Sequence, residues 1–267
     1  MLNDITLGQY FPGSSVIHRL DPRTKILATL IFIAAIFLAQ SALSYAIVCA
    51  FALAVILLSR VPLLLVLKSL KPILLIIILT LGIHVFTTQG ETVLWQWKFL
   101  VVTAEGVTLG VKMSLRLMLL LLFSSVLTFT TSPIVLTDGI ENLLRPFKRF
   151  GVPAHELAMM MTIALRFIPT LLEETDRIMK AQTARGADFA SGNILQRLKN
   201  MLPILVPLFI SAFRRADELA VAMEARCYRG GEGRTRLHEL AYCGRDYGVF
   251  AVMLLLTALL AALRFLS

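Results

Sequence analysis

The sequence predicts an all-α integral membrane protein with about five transmembrane helices and three amphipathic helices on the cytoplasmic side. Of the 267 residues, 57% are hydrophobic, whereas about 45–50% is usual in soluble domains. The apolar residues gather in runs, and about 20 helical residues cross a hydrocarbon core about 30 Å thick. Charge concentrates at residues 132–245, which hold 16 of the 26 basic and 12 of the 17 acidic residues. This contrast predicts three parts, at 1–131, 132–245 and 246–267.

The first part comprises a polar N-terminal tail and four candidate transmembrane helices. These apolar runs are 26–39, 42–58, 61–86 and 107–130. The first two are short for a bilayer and depend on flanking polar residues to reach its interfaces. A fifth run, 247–266, forms the C-terminal part and gives five crossings.

The distribution of lysine and arginine predicts the orientation of these runs. The N-terminal tail and the turn at 60–71 are basic, whereas the connection at 87–106 has few positive charges and carries Trp95 and Trp97. Because cytoplasmic loops carry the excess of positive charge, the N-terminus and the region 132–245 are expected in the cytoplasm and the C-terminus outside. The net charge of +9 is attributed to topology and not to nucleic acid, since no base-reading motif accompanies it.

The charge-rich part begins with two predicted amphipathic helices. The first spans about 133–150, with Gly151 just past its end. The second spans about 153–185, and Pro169 predicts a hinge near Leu165. Its apolar stripe recurs at four- and three-residue steps and consists of Leu157, Met161, Ala164, Ile168, Leu171, Thr175 and Ile178.

The third amphipathic helix is expected to run from Pro203 to Arg226, with Pro207 marking a bent start. It carries a ridge of small side chains at four-residue steps, namely Ala212, Ala216 and Ala220. Such a ridge lets another helix cross at close range. The alternative is that alanine serves only as a good helix former.

No motif predicts a catalytic residue, a metal site or a cofactor. The glycine cluster at 230–233 continues with Arg234 and so lacks the lysine and hydroxyl of a P-loop; it is expected to end a helix and form a flexible loop. Neither His155-Glu156 nor His238-Glu239 has a second histidine four residues after the first, as zinc motifs require. The acidic stretch at 173–176 has no second cluster to complete a magnesium site and is interpreted as a solvated face. The chain is therefore not expected to be an enzyme or to hydrolyse ATP by itself.

Two short motifs stand at the predicted ends of the long helices: Ala184-Arg185-Gly186 and Ala225-Arg226-Cys227. One interpretation is structural, because an arginine in the last turn opposes the negative end of the helix dipole. The other is functional, because an arginine flanked by small residues can enter a narrow groove and bind acceptors with its planar fork. The repetition of the motif favours docking into a partner.

These features resemble the transmembrane T component of energy-coupling factor transporters, the EcfT or CbiQ-like family. The resemblance covers essentially the whole chain. It is carried by Leu20-Asp21-Pro22-Arg23-Thr24-Lys25, by residues 162–171 and 180–189, and by Ala222-Met223-Glu224-Ala225-Arg226.

The resemblance implies a scaffold of a prokaryotic micronutrient importer, embedded as a multi-pass protein in the cell membrane. Arg185 and Arg226 match the arginines that dock into two ATPase subunits in that family. A membrane-embedded, substrate-binding S component is the further partner. The three amphipathic segments of this chain would be the coupling helices. Cys227 departs from the glycine usual after the second arginine. A left-handed backbone there would cost about 1 kcal/mol or more, so the helix is expected to continue to Tyr228-Arg229 and end at Gly230.

A self-contained carrier or a membrane-embedded enzyme is the alternative. A carrier would bind substrate near the midplane, where Lys112 and Arg116 are suited to hold an anion. Lys68, Lys71 and His84 are the other polar candidates in the runs, and no carboxylate accompanies them. The sequence does not identify the cargo, nor whether the two ATPases are identical.

Overall fold

A computed structural model shows a chain that is almost entirely helical. It describes residues 10–97, 100–187, 189, 193–231 and 239–266. Within these residues it forms nine α-helices and one β-hairpin. In chain order they are α1 (Pro22–Ile36), α2 (Ala42–Ser59), α3 (Leu63–Leu70), α4 (Leu74–Thr87), β1 (Val93–Trp97), β2 (Leu100–Thr103), α5 (Ala104–Thr130), α6 (Pro133–Leu144), α7 (Ala154–Ala184), α8 (Ile194–Ala225) and α9 (Gly244–Leu266).

The helices confirm the all-α membrane class, and five helical segments are long and apolar enough to cross a bilayer. They are α2, α3 with α4, α5, α7 and α9. The number agrees with the prediction, but the set differs. The run at 26–39 lies mostly in α1, whose 15 residues rise only about 22 Å. Helix α7, predicted to lie outside the bilayer, meets the length requirement, although the mean hydropathy of its most apolar window is 1.2 against 1.8–2.4 for the other four.

Two predicted segments have more structure than the hydropathy pattern indicates. The run at 61–86 is divided, because a 3-10 turn at Lys71–Ile73 separates α3 from α4, and Pro72 supplies no N–H to continue the α-helical ladder. The connection at 87–106 contains the antiparallel hairpin, in which Trp97 pairs with Leu100. The side chains of Trp95 and Trp97 lie outside the described set, so their interfacial role stays a prediction.

The described chain divides into two compact units, residues 10–139 with 239–266 and residues 140–231. The first contains α1–α5, the hairpin and α9, and α5 packs against α1, α2 and α4. Its core centres on Phe32, which is fully buried and stacks on Phe123 with ring centroids 3.9 Å apart. Phe51 extends the stack at 6.0 Å. Such stacked aromatic contacts bury a large apolar area and favour one arrangement of the helices.

A buried polar network joins three helix ends of the first unit. The side chain of Asp246, 2% exposed, accepts hydrogen bonds from the backbone N–H of Asp21 at 3.0 Å and of Cys243 at 2.8 Å. Asp21 in turn caps α1. Lys25 Nζ donates to the carbonyl oxygen of Thr130, the last residue of α5, at 2.9 Å. The network therefore brings the start of α1, the end of α5 and the start of α9 to one end of the unit.

The second unit contains the end of α6 together with α7 and α8. As predicted, the first amphipathic segment ends at Gly151, where a 3-10 turn (Arg145–Phe150) closes on a left-handed glycine with φ 83°. The expected start of the third helix at Pro203 is wrong. Helix α8 begins at Ile194 after Asn193, and Pro203 and Pro207 lie inside it. Of the loop expected at 230–233, residues 232 and 233 lie outside the described residues.

Candidate functional site

The end of α7 is a compact cap that presents Arg185. Arg185 is the C-cap residue, with φ −87° and ψ 4°, and Gly186 follows in the left-handed region with φ 90°. The N–H of Gly186 donates to the carbonyl oxygen of Thr183 at 2.9 Å, and that of Ala187 to Gln182 at 3.0 Å. This pair of bonds is the Schellman pattern, which satisfies carbonyl groups left free at a helix end.

The end of α8 repeats this geometry. Arg226 is the C-cap residue, with φ −90° and ψ 13°, and Cys227 follows with φ 54°. The N–H of Cys227 donates to Glu224 at 2.8 Å, and that of Tyr228 to Met223 at 3.1 Å. The expectation that the helix would continue to Gly230 is therefore wrong: Cys227 takes the left-handed position despite its Cβ.

Both arginines are exposed, as are Ala184 and Ala225 before them and Cys227 after the second. In the part of the chain that the structure describes, neither guanidinium makes a hydrogen bond or an ion pair. The caps therefore use backbone groups alone, and each guanidinium keeps its donors free for another molecule.

Helices α7 and α8 pack against each other, and one ion pair marks the contact. Arg215 Nη2 lies 3.1 Å from Glu174 Oε2, with side chains 36% and 28% exposed. Glu174 precedes Arg185 by eleven residues, and Arg215 precedes Arg226 by eleven. At about 1.5 Å per residue, each helix extends about 16 Å from the ion pair to its capped end.

A second contact fixes the segment that follows α8. The hydroxyl of Tyr228 lies 3.3 Å from His155 Nε2, and His155 Nδ1 lies 3.0 Å from a carboxylate oxygen of Glu141 in α6. His155 stands in the first turn of α7, so the exit of the second motif is tied to the start of α7. Sequence reasoning treated His155 only as a failed zinc motif, because its partners lie 14 and 73 residues away.

The predicted alanine ridge and apolar stripe are largely uncovered. Ala212 is half-buried, but Ala216 and Ala220 are exposed, as are Leu157 and Met161 at the start of the α7 stripe. Within the described residues, the ridge at Ala216 and Ala220 is left uncovered. Pro169 lies inside α7, and the predicted hinge there stays a prediction.

The polar residues of the transmembrane segments are dispersed. Arg116 donates to the carbonyl oxygen of Ala39 at 3.3 Å and lies over the Phe37 ring at 5.1 Å. Lys112 and His84 are half-buried. Among the described residues, no three histidine, cysteine, aspartate or glutamate side chains are placed to hold a metal ion.

Comparison with known proteins places this geometry in context. A family model described as CbiQ, cobalt transport protein, matches residues 13–237. The chain is 70% identical over 264 residues to an energy-coupling factor transporter transmembrane protein EcfT of Acidaminococcus fermentans, covering 99% of this chain and 98% of the relative. The proteins of the same name from Clostridium kluyveri and Bacillus subtilis are 58% and 49% identical, covering 92% and 99% of this chain and 92% and 100% of the relatives.

Proposed function

The chain belongs to the CbiQ family of transport proteins, and from this we propose that it is the coupling scaffold of an energy-coupling factor importer. In this proposal Arg185 and Arg226 dock into two ATP-binding subunits. The first unit, residues 10–139 with 239–266 and hereafter called the membrane unit, holds a substrate-binding S component. The cargo is a vitamin or a metal ion. The observation that carries the proposal is the pair of matching helix ends, each of which presents an exposed, unpaired arginine on a rigid cap.

The parts of α7 and α8 between the Glu174–Arg215 ion pair and the capped ends are equal in length, which suits the two helices to transmit movement. Because each capped end lies about 16 Å from the Glu174–Arg215 contact, a change in the angle between the helices by about 10° moves a tip by about 3 Å. ATP can drive such a change only by binding one arrangement of the ATPase subunits better than the other. The exposed stripe on α7, which includes Leu157 and Met161, offers an apolar surface to a second protein or to the bilayer.

We further propose the orientation that the basic residues indicate. The N-terminus and the coupling region at 132–245 face the cytoplasm, where ATP is available. Two topologies are compatible with the candidate membrane spans, because α1 is short for a crossing and α7 is long enough to make one. Labelling of single introduced cysteines from each side of the membrane distinguishes them.

Charge reversal at the tips tests the docking. Arg185→Glu with Arg226→Glu is expected to lower the affinity for the ATPase pair more than tenfold and to abolish uptake, because central arginines at interfaces typically contribute about 2 kcal/mol or more. The control is Arg177→Glu, another exposed arginine of α7 outside the motifs. Normal uptake and docking by the double variant, with the control also normal, would refute the role assigned to the pair.

Purification tests the scaffold against the alternative of a self-contained carrier or enzyme. A scaffold brings two nucleotide-binding proteins with it and shows no ATP hydrolysis when isolated. Substrate transport by liposomes that contain the chain alone would favour the carrier.

A further inference from the structure

A cavity of about 430 Å³ lies at one end of the membrane unit and has a strongly cationic wall. Three arginines from separate parts of the chain line it: Arg19 before α1, Arg60 after α2 and Arg245 at the start of α9. Ser14 and Ser15 add polar groups, and none of the described residues that line the cavity carries a carboxylate. Its volume falls within the range of about 300–1,000 Å³ typical of small-ligand sites.

The three guanidinium groups are available to a ligand. All three residues are exposed, and within the described ranges none of their side chains forms a hydrogen bond or an ion pair. Three cations of like sign around one cavity repel one another unless an anion lies between them. The geometry therefore favours a bound anion, and a phosphate group fits the planar, two-pronged arginine fork.

Arg60 adopts an unusual backbone conformation. With φ 55° and ψ 21°, it caps α2 in the left-handed region, which side chains other than glycine, asparagine and aspartate rarely adopt. The cap alone would be satisfied more easily by glycine. A non-glycine residue held in such a conformation is often part of a functional site, and here it places a cation on the cavity wall.

The position of the cavity identifies the kind of anion. Helices α2 and α9 are both candidate membrane spans, so the end of one and the start of the other lie at headgroup depth. The last turn of α2 contributes Leu57 and Leu58 to the wall, and each of them is 58% exposed. A cationic wall beside an exposed apolar helix matches the phosphate and the acyl chains of a phospholipid.

We propose that Arg19, Arg60 and Arg245 form a binding site for the phosphate headgroup of an anionic phospholipid. The site is separate from the arginine-bearing helix ends and does not depend on the coupling function. A lipid bound there links the N-terminal segment, the end of α2 and the start of α9.

Native mass spectrometry of the full chain in detergent tests the site. The probes are phosphatidylglycerol and phosphatidylcholine with the same acyl chains. The chain is expected to retain one phosphatidylglycerol preferentially. Each basic residue near an anionic surface contributes roughly fivefold in affinity, so Arg19→Gln with Arg245→Gln is expected to weaken retention about 25-fold. Arg60→Asn, which suits the left-handed backbone, weakens it further.

The matched control is Lys68→Gln with Lys71→Gln, which removes the same charge from exposed lysines of the neighbouring basic turn. It is expected to leave the retained lipid in place. Equal losses in both double variants, or unchanged retention in the arginine variants, would overturn the proposal.

Two competitors identify the source of the anion. Inorganic phosphate and glycerol 3-phosphate are expected not to displace the lipid at millimolar concentration, because they lack acyl chains for the wall at Leu57 and Leu58. Displacement by either one, or an acidic protein that occupies the arginines in place of lipid, would overturn the assignment to phospholipid. The readout needs neither ATPase nor S component, so its failure is separate from failure of the coupling proposal.

Discussion

The two helix caps predict opposite effects of two substitutions, Gly186→Ala and Cys227→Gly. A side chain in the left-handed region costs about 1–2 kcal/mol. A Cβ added at Gly186 meets no atom within 4 Å, so its φ of 90° carries the whole penalty, and Gly186→Ala is expected to destabilise the cap by about 1 kcal/mol. Cys227→Gly removes a penalty of the same kind. Glycine also gains freedom in the unfolded chain worth about 0.5–1 kcal/mol, so the net stabilisation is expected to be below about 1 kcal/mol.

Amide hydrogen exchange measures these changes at the caps themselves. Exchange of the N–H groups at 186 and 187 requires the cap to open, and about 1 kcal/mol corresponds to a roughly fivefold change in the open population. Gly186→Ala is expected to accelerate exchange there about fivefold. Cys227→Gly is expected to slow exchange at 227 and 228 by up to about fivefold.

Gly248→Ala is the matched control for this experiment. It makes the same chemical change inside α9, in open space and without a positive φ, so it is expected to be neutral or to stabilise the helix slightly. If Gly186→Ala leaves amide exchange at 186 and 187 as slow as Gly248→Ala leaves exchange in α9, the left-handed cap does not exist in solution. The matched presentation of the two arginines would then lose its structural basis.

Three further outcomes are expected. Reversing both charges of the Glu174–Arg215 pair is expected to restore at least half of the ATPase docking lost by either single reversal, as measured by a double-mutant cycle. The coupling energy is expected to be at most about 1 kcal/mol, because the pair is partly exposed. A coupling energy of zero would contradict the role of this contact as the point about which α7 and α8 turn. Tyr228→Phe removes the hydroxyl that lies next to His155. It is expected to accelerate proteolysis after α8 severalfold, while the helical content measured by circular dichroism stays unchanged. Asp246→Ala removes the acceptor of the buried N–H of Asp21 and of the partly exposed N–H of Cys243. Because the buried N–H is left without a partner, the variant is expected to lower the free energy of unfolding by about 1–3 kcal/mol, measured in detergent as a fall in melting temperature. An unchanged melting temperature would contradict this.

The membrane class and most helix boundaries follow directly from the sequence. The run at 42–58 becomes α2 at Ala42–Ser59, because Ser41 caps its start and the polar Arg60 stops its apolar pattern. Gly151 correctly predicts the end of the first amphipathic segment. Such signals are local, since apolar periodicity, a capping residue and glycine lie within a few positions of one another.

The mistaken boundaries arise where local rules compete. Pro203 locally predicts a helix start because proline favours the first turn, yet α8 continues through it from Ile194. Proline inside a helix costs about 3 kcal/mol, which a 32-residue helix packed on α7 can offset. At Cys227 the steric cost of a left-handed side chain favoured a longer helix, but the two backbone bonds of the cap outweigh that cost. The contact of His155 with Glu141 and Tyr228 depends on tertiary packing and has no local sequence signal.

The thin contact between α7 and α8 fits a joint whose angle changes. Among the described side chains of α7, only Ala154 and Ala158 are buried, and among those of α8 only Ile204 is. Little apolar area therefore resists rotation of one helix on the other, since hydrophobic stabilisation scales with buried area at roughly 25 cal/mol per Å². The membrane unit differs, because Phe32, Val48 and Leu260 are all 0% exposed and a close-packed core transmits force without rearranging. The two units therefore differ in stiffness, since α7 and α8 are loosely packed on each other and the membrane unit has a closely packed core. The proposed coupling role requires this difference, because movement at the capped ends then changes the angle between α7 and α8 before it deforms either helix.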